Sequence, residues 1–169
     1  MRNKYKGIKK LNKAISETLA PFEIMGAVMD CCYSYDFEGQ FITFNPFETC
    51  EDDFFSNFVE KKFEMKDTMP ILTSFLHEVG HHKTCDFLTE EEWDYSFRRK
   101  KKIFKKIEKA KTKKQIEKIQ WEYFNLPDEL AATEWAVNYI KTHPKKAKKI
   151  NAEIEKAFEE FKKNNEKNA

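Results

Sequence analysis

The stretch LTSFLHEVGHHK, residues 72–83, decides how this chain folds. Its apolar residues recur at helical spacing, with Thr68 as a possible N-cap and Pro70 in the first turn. The sequence therefore predicts a helix that runs to about His82. Histidine and glutamate are costly to bury in such an apolar helix without a partner, so this helix is the first place to look for a functional site.

The same stretch contains the pattern His-Glu-x-x-His. Residues four apart on a helix lie on one face, so His77 and His81 can both reach one ion, and zinc accepts imidazole nitrogen at about 2.0–2.1 Å. Glu78 lies about 100° round the helix from the first histidine. From there its carboxylate can take a proton from water in the open coordination position, as a general base. The alternative is a chance match on a surface helix with solvated side chains.

A catalytic zinc site needs a third protein ligand, and the best candidate is Glu129. It opens the segment NLPDELAATEWAVNYI, residues 125–140, which has helical periodicity. Ala132 and Ala136 follow at i+3 and i+7 and give the helix a face of small residues beside the carboxylate. Such a face, with Gly80 opposite, lets two helices approach closely. The sequence thus predicts a Zn²⁺ site formed by His77, His81 and Glu129.

Other roles for these residues stay open at this stage. Glu129 could instead complement the helix dipole, as an acid in a first turn often does. Glu134 is the rival third ligand by carboxylate type alone, and Asp128 is a weaker candidate. His82 points away from the face of the two predicted ligands, so we expect it at the surface or behind them.

Transition-state stabilisation at such a site also needs a donor that faces the developing oxyanion. By side-chain type the candidates are Tyr123, Tyr139 and His143. The alternative for Tyr123 is helix packing, and for His143 it is a favourable position near a helix C-terminus.

The whole chain predicts an α+β fold that is predominantly helical. With only 4 glycines and 5 prolines in 169 residues, long helices and few hairpins are expected in a single domain. The best strand signal is the alternation from Gln40 to Asn45. The predicted helices, besides the one above, are 8–19, 22–33, 53–63, 93–123 with a break near Thr112, 125–143 capped near Asn125, and an amphipathic C-terminal helix at about 145–163.

Charge is unevenly distributed although the net charge is only +2. Residues 98–118 contain twelve basic and two acidic residues, whereas residues 36–64 contain eight acidic residues and two lysines. Solvated helix faces are the favoured interpretation, and nucleic acid is not an expected partner. The alternative function is a non-enzymatic interaction protein, with a structural metal site, that binds an acidic partner or nucleic acid through 98–118.

The composition and the N-terminal sequence favour a cytoplasmic protein. The N-terminal MRNKYKGIKK has no apolar signal core, and no run approaches the roughly 18 apolar residues of a membrane span. The four cysteines match no zinc ribbon or CxxC spacing, so we expect reduced thiols and no membrane partner.

HEVGHH at 77–82 and ELAATEWA at 129–136 resemble the gluzincin-type metallopeptidases, most of all the short ImmA/IrrE-like peptidases. The resemblance implies a minimal zincin-like domain within 1–169: a small sheet, the HExxH helix and a downstream glutamate helix. Its core would be about 22–142, with a basic helical insertion at about 93–123. The strand at 40–45 would be the edge strand beside the cleft. The implied substrate is a cytosolic protein or peptide, and some relatives cleave a repressor protein.

Overall fold

The structure is a computed structural model that describes residues 7–29, 33–46 and 54–166. The described part contains seven α-helices and three short strands, which confirms the α+β, predominantly helical fold class. The strands are β1 (Met25–Val28), β2 (Ser34–Asp36) and β3 (Phe41–Phe44). The helices are α1 (Ile8–Leu19), α2 (Phe54–Phe63), α3 (Pro70–Thr84), α4 (Glu90–Ile107), α5 (Lys113–Phe124), α6 (Pro127–Thr142) and α7 (Pro144–Glu166).

The prediction of a helix over 22–33 is wrong. Residues Ala20–Phe22 form a short 3₁₀ turn and Met25–Val28 form β1, while 30–32 lie outside the described residues. A Cβ on Gly26 would lie 2.5 Å from the Ile15 side chain, so β1 presses closely against α1. Apolar content alone does not separate a short buried strand from a helix, and this tertiary contact decides between them.

The sheet has the order β1-β3-β2, with β3 parallel to β1 and antiparallel to β2. The strand predicted at 40–45 is therefore real but central, and the expectation that it forms the edge beside the cleft is wrong. The edge strand that contacts the His-Glu-x-x-His helix is β2. A three-residue strand carries too short an alternation to be recognised from sequence.

The predicted N-cap of α3 differs from the structure. The residue that precedes α3 is Met69 rather than Thr68, and its side chain makes no cap. Asp67 holds this helix start instead, since its Oδ1 accepts from the Met69 N–H and the Thr73 hydroxyl. For α6, the cap predicted near Asn125 is the neighbouring Leu126, which makes no side-chain cap bond and is followed by a proline. The Asn125 amide donates to a carbonyl of α5.

The helical break near Thr112 is confirmed. Thr112 caps α5 through a reciprocal pair of hydrogen bonds with Gln115, a capping box. The basic segment is therefore a helical hairpin, α4 and α5. Thr89 and Glu92 form the same kind of box at the start of α4, which begins at Glu90, earlier than the predicted 93.

The hydrophobic core lies where α1, α3 and α7 meet the sheet. It includes apolar residues from both ends of the chain, so it reaches beyond 22–142. Its largest fully buried side chains include Ile15, Phe44, Phe75 and Ile154. One face of α3 is thereby fixed in the core, and its other face is left for α6 and the candidate site.

Candidate metal centre

Helices α3 and α6 approach each other more closely than side chains normally allow. A Cβ on Gly80 would lie 2.3 Å from the backbone oxygen of Ala132, and real Cβ contacts under 3.0 Å essentially do not occur. The predicted close approach through small residues is thus confirmed. It brings the α3 face that carries His77 and His81 against the first turns of α6.

His77, His81 and Glu129 converge in the interior. The Glu129 Oε2 atom lies 3.1 Å from His77 Nε2 and 3.6 Å from His81 Nε2. One ligand atom from each residue lies within 4.8 Å of the others, so this buried group could hold a metal ion. The three residues are 5%, 8% and 2% exposed. Glu134, the rival third ligand, is exposed on another face of α6.

Thr133 fixes the protonation pattern of His77. The Thr133 hydroxyl lies 2.7 Å from the backbone oxygen of Glu129, the usual bond to the carbonyl one turn earlier, and so its single hydrogen is used there. His77 Nδ1 lies 3.0 Å from the same hydroxyl and must therefore donate to it. In neutral His77 the lone pair is then on Nε2, facing the Glu129 carboxylate. Two acceptors at 3.1 Å repel unless a proton or a metal ion lies between them.

Lys100 is a member of the site that the sequence analysis missed. Its ammonium, on α4, contacts Asp128 Oδ2 and Glu129 Oε1. Burial lowers the pKa of Lys100, but these two carboxylates outweigh burial and the pKa is raised. Burial likewise raises the pKa of Glu129, yet the facing imidazoles hold it well below its usual value. Lys100 is therefore a cation and Glu129 an anion.

A signal for Lys100 was present in the sequence. The buried residues of α4 are Ser96 and Ile103, which lie four residues before and three residues after Lys100. This spacing places all three on one helical face. The eleven other basic residues of 98–118 obscured that face. Helical spacing also places Thr133 on the same face as Glu129, since it lies one turn later on α6.

Glu78 is buried beside the triad and points at the edge strand. Its carboxylate accepts from the backbone N–H of Tyr35 on β2. Burial raises the pKa of Glu78, and although His77 counteracts this, the result is a pKa of about 7. A carboxyl with such a pKa exchanges protons near neutral pH, as a general base or acid must.

His82 holds the edge strand in place. Its Nδ1 lies 2.7 Å from the hydroxyl of Tyr35, the residue whose backbone N–H binds Glu78. The expectation was a position at the surface or behind the predicted ligands, and the structure places His82 half-buried against β2. It links the end of α3 to β2 through one side chain.

Of the three oxyanion candidates, only Tyr123 is in the site. Its hydroxyl hydrogen-bonds the Glu129 carboxylate, and burial followed by that negative charge raises its pKa. Tyr139 lies ten residues after Glu129 on α6, about 15 Å along the helix, and stacks on His143. Neither Tyr139 nor His143 is near the triad.

Aromatic rings surround the imidazoles. The rings of Phe55 and Phe124 lie 5.0 and 6.0 Å from that of His77, and the half-exposed Phe37 lies 6.4 Å from His81. Their apolar surfaces exclude water, and electrostatic interactions are stronger in such surroundings.

The charges of the site suit a divalent cation. When the two imidazoles are neutral, as metal ligands must be, Asp128 and Glu129 contribute two negative charges and Lys100 one positive charge. A net negative charge is then left among buried groups even when Glu78 is protonated. Buried charges are stable only when paired, and two imidazole nitrogens with a carboxylate oxygen are a zinc-type donor set.

No helix in the described ranges is both long enough and apolar enough to cross a membrane. Comparison with known proteins finds no matching family model, curated protein or solved structure.

Proposed function

We propose that this protein is a zinc-dependent peptidase of the gluzincin type that hydrolyses a peptide bond in a cytoplasmic protein. The observation that carries the proposal is the convergence of His77 Nε2, His81 Nε2 and Glu129 Oε2, with the carboxyl of Glu78 buried beside them. Three protein ligands and a neighbouring acid are typical of a catalytic site, because structural zinc sites usually have four protein ligands. Among the described residues the group has three.

Each residue of the site has a separate role in this proposal. His77, His81 and Glu129 would hold Zn²⁺, which lowers the pKa of a bound water and polarises a carbonyl. Glu78 would accept a proton from water and donate it to the leaving amine. Without a metal ion, burial raises the pKa of Glu78 to about 7, which is in the range of a general base or acid. Thr133 keeps the His77 lone pair on Nε2. Tyr123 supplies a hydroxyl next to Glu129.

A peptide is the favoured substrate because an edge strand borders the site. An extended chain that pairs with β2 would run past Glu78, which is itself bonded to Tyr35 on this strand. The half-exposed Phe37 directly follows β2 and contacts His81. These contacts support a protein or peptide substrate, including a regulatory protein as in the resembled peptidases.

The test measures metal and hydrolysis in the same preparations. Zinc content and cleavage of unfolded protein and a fluorogenic peptide library are measured for the wild type, His77→Ala, Glu78→Gln and Glu134→Gln. We expect about one zinc per wild-type chain, loss of zinc in the first variant, and retained zinc without cleavage in the second. Glu134→Gln, an exposed glutamate on α6, is the matched control and should behave as wild type. A wild type without zinc, or a Glu78→Gln protein that cleaves normally, would refute the proposal.

One feature favours a second function. The lining of an open groove of about 370 Å³ between α4 and α5 includes four lysines, Lys105, Lys106, Lys109 and Lys118. Only Lys106 has an ion pair, with Glu122, among the pairs of the described residues. An acidic protein or nucleic acid bound there would make this an interaction protein, and its affinity would fall steeply with salt. Glu78→Gln would then leave function intact.

A further inference from the structure

Lys100 differs from the other basic residues of its helix. Its side chain is 24% exposed, whereas Lys101, the next residue, is exposed and lies over the Phe97 ring. The Lys100 ammonium is held by two carboxylates that are themselves almost fully buried, at 3% and 2% exposure. A lysine placed at such a cost in solvation is part of the site rather than of the solvated basic surface.

The two oxygens of Glu129 have separate partners. Oε1 accepts from Lys100, while Oε2 faces the ring nitrogens of His77 and His81. The Tyr123 hydroxyl also bonds this carboxylate, but it carries no charge to compete with a metal ion. We propose that Lys100 is a positioning residue that occupies Oε1 and restricts Glu129 to a single metal bond, through Oε2. This inference rests on the proposed function and adds to it, because it explains how a coordination position stays available for water.

The positive charge of Lys100 also affects how tightly the site binds a metal ion. An ammonium bonded to one oxygen of a metal-binding carboxylate repels the metal ion that binds the other oxygen. Lys100 therefore weakens metal binding while it keeps the site open. Without Lys100, both oxygens of Glu129 could bind the ion, and the ion would replace the ammonium as the countercharge of Glu129.

Cobalt(II) makes this measurable without any substrate. Four-coordinate Co²⁺ absorbs visible light more strongly than five- or six-coordinate Co²⁺, so the spectrum reports how many ligand atoms bind. Metal-free wild type, Lys100→Met, Lys100→Arg and the control Lys101→Met are each titrated with Co²⁺. The Kd is measured in competition with a chromophoric chelator.

We expect Lys100→Met to bind Co²⁺ at least tenfold more tightly, about 1.4 kcal/mol, with weaker visible absorption. Lys100→Arg retains charge and donor and should resemble wild type, as should Lys101→Met. An unchanged spectrum in Lys100→Met, or weaker binding, overturns the inference. If the metal-free Lys100→Met protein does not fold, it is refolded with Co²⁺ and the spectrum alone decides.

The two proposals can fail separately. A wild type that binds no Co²⁺ contradicts the peptidase and the inference together. A wild type that binds metal and cleaves peptides, beside a Lys100→Met variant with the wild-type spectrum, contradicts only the role of Lys100.

Discussion

Gly80→Ala tests the contact that creates the site. The added Cβ would lie 2.3 Å from the Ala132 oxygen, about 1 Å inside the 3.4 Å at which ordinary contacts begin. Because the obstructing atoms are backbone, α3 and α6 must separate. Overpacking of this kind costs about 1–3 kcal/mol, and alanine regains up to about 1 kcal/mol through its higher helix propensity. We expect a net loss of about 1–2 kcal/mol in the free energy of unfolding.

The same separation moves Glu129 away from the two imidazoles. Metal–ligand distances are tolerated only within about 0.2 Å, so a shift approaching 1 Å should weaken zinc binding more than tenfold. Urea unfolding of the metal-free protein and zinc competition titrations measure the two effects. Lys83→Ala, on the same helix with an exposed partner, is the control.

A second substitution identifies the atoms that clash. The nearest atoms to the added Cβ are the O, C and Cα of Ala132, so Ala132→Gly should not rescue Gly80→Ala. If Gly80→Ala is as stable as wild type and binds zinc equally well, the helices do not meet as described. Rescue by Ala132→Gly would likewise contradict the backbone contact.

Three further predictions concern the groups around the ligands. Thr133→Val removes the acceptor of His77 Nδ1 and should weaken zinc binding about 10–100-fold in competition titrations. The control is Thr142→Val, because Thr142 is an exposed threonine of α6 with the same kind of backbone bond, and its replacement should leave zinc binding unchanged. In metal-free protein, the free energy of unfolding of wild type should fall relative to that of Glu78→Gln as pH rises. The reason is that the Glu78 carboxyl, with its pKa raised to about 7, stays protonated in the folded state at pH values where the unfolded chain has already ionised. Urea unfolding should show this difference growing by about 2 kcal/mol between about pH 5.5 and pH 8, and a constant difference would show that the pKa of Glu78 is not raised. His82→Phe and Tyr35→Phe should each destabilise the protein, and their double-mutant cycle should give a coupling energy of about 1 kcal/mol. A coupling energy of zero would show that the 2.7 Å bond between the Tyr35 hydroxyl and His82 Nδ1 is absent.

Local patterns predicted much of the fold. The periodicity of residues 72–83 gave α3, and Thr112 marked the start of α5 because a capping box is complete within four residues. β1 was missed because its apolar run fits a helix equally well until the contact between Gly26 and Ile15 is known. The cap of α3 was misassigned because the bonds that hold its start come from Asp67, two residues before the N-cap Met69.

The sequence by itself determined that His77, Glu78 and His81 form one local unit, since residues on adjacent turns of a helix are neighbours whatever surrounds them. Tertiary structure alone decided the rest of the site. Glu129 is 52 residues from His77, and Lys100 is 29 residues from Glu129, so their contacts depend on how three helices pack. Helix periodicity assigns a residue to a face, but only packing shows which carboxylate and which ammonium that face meets.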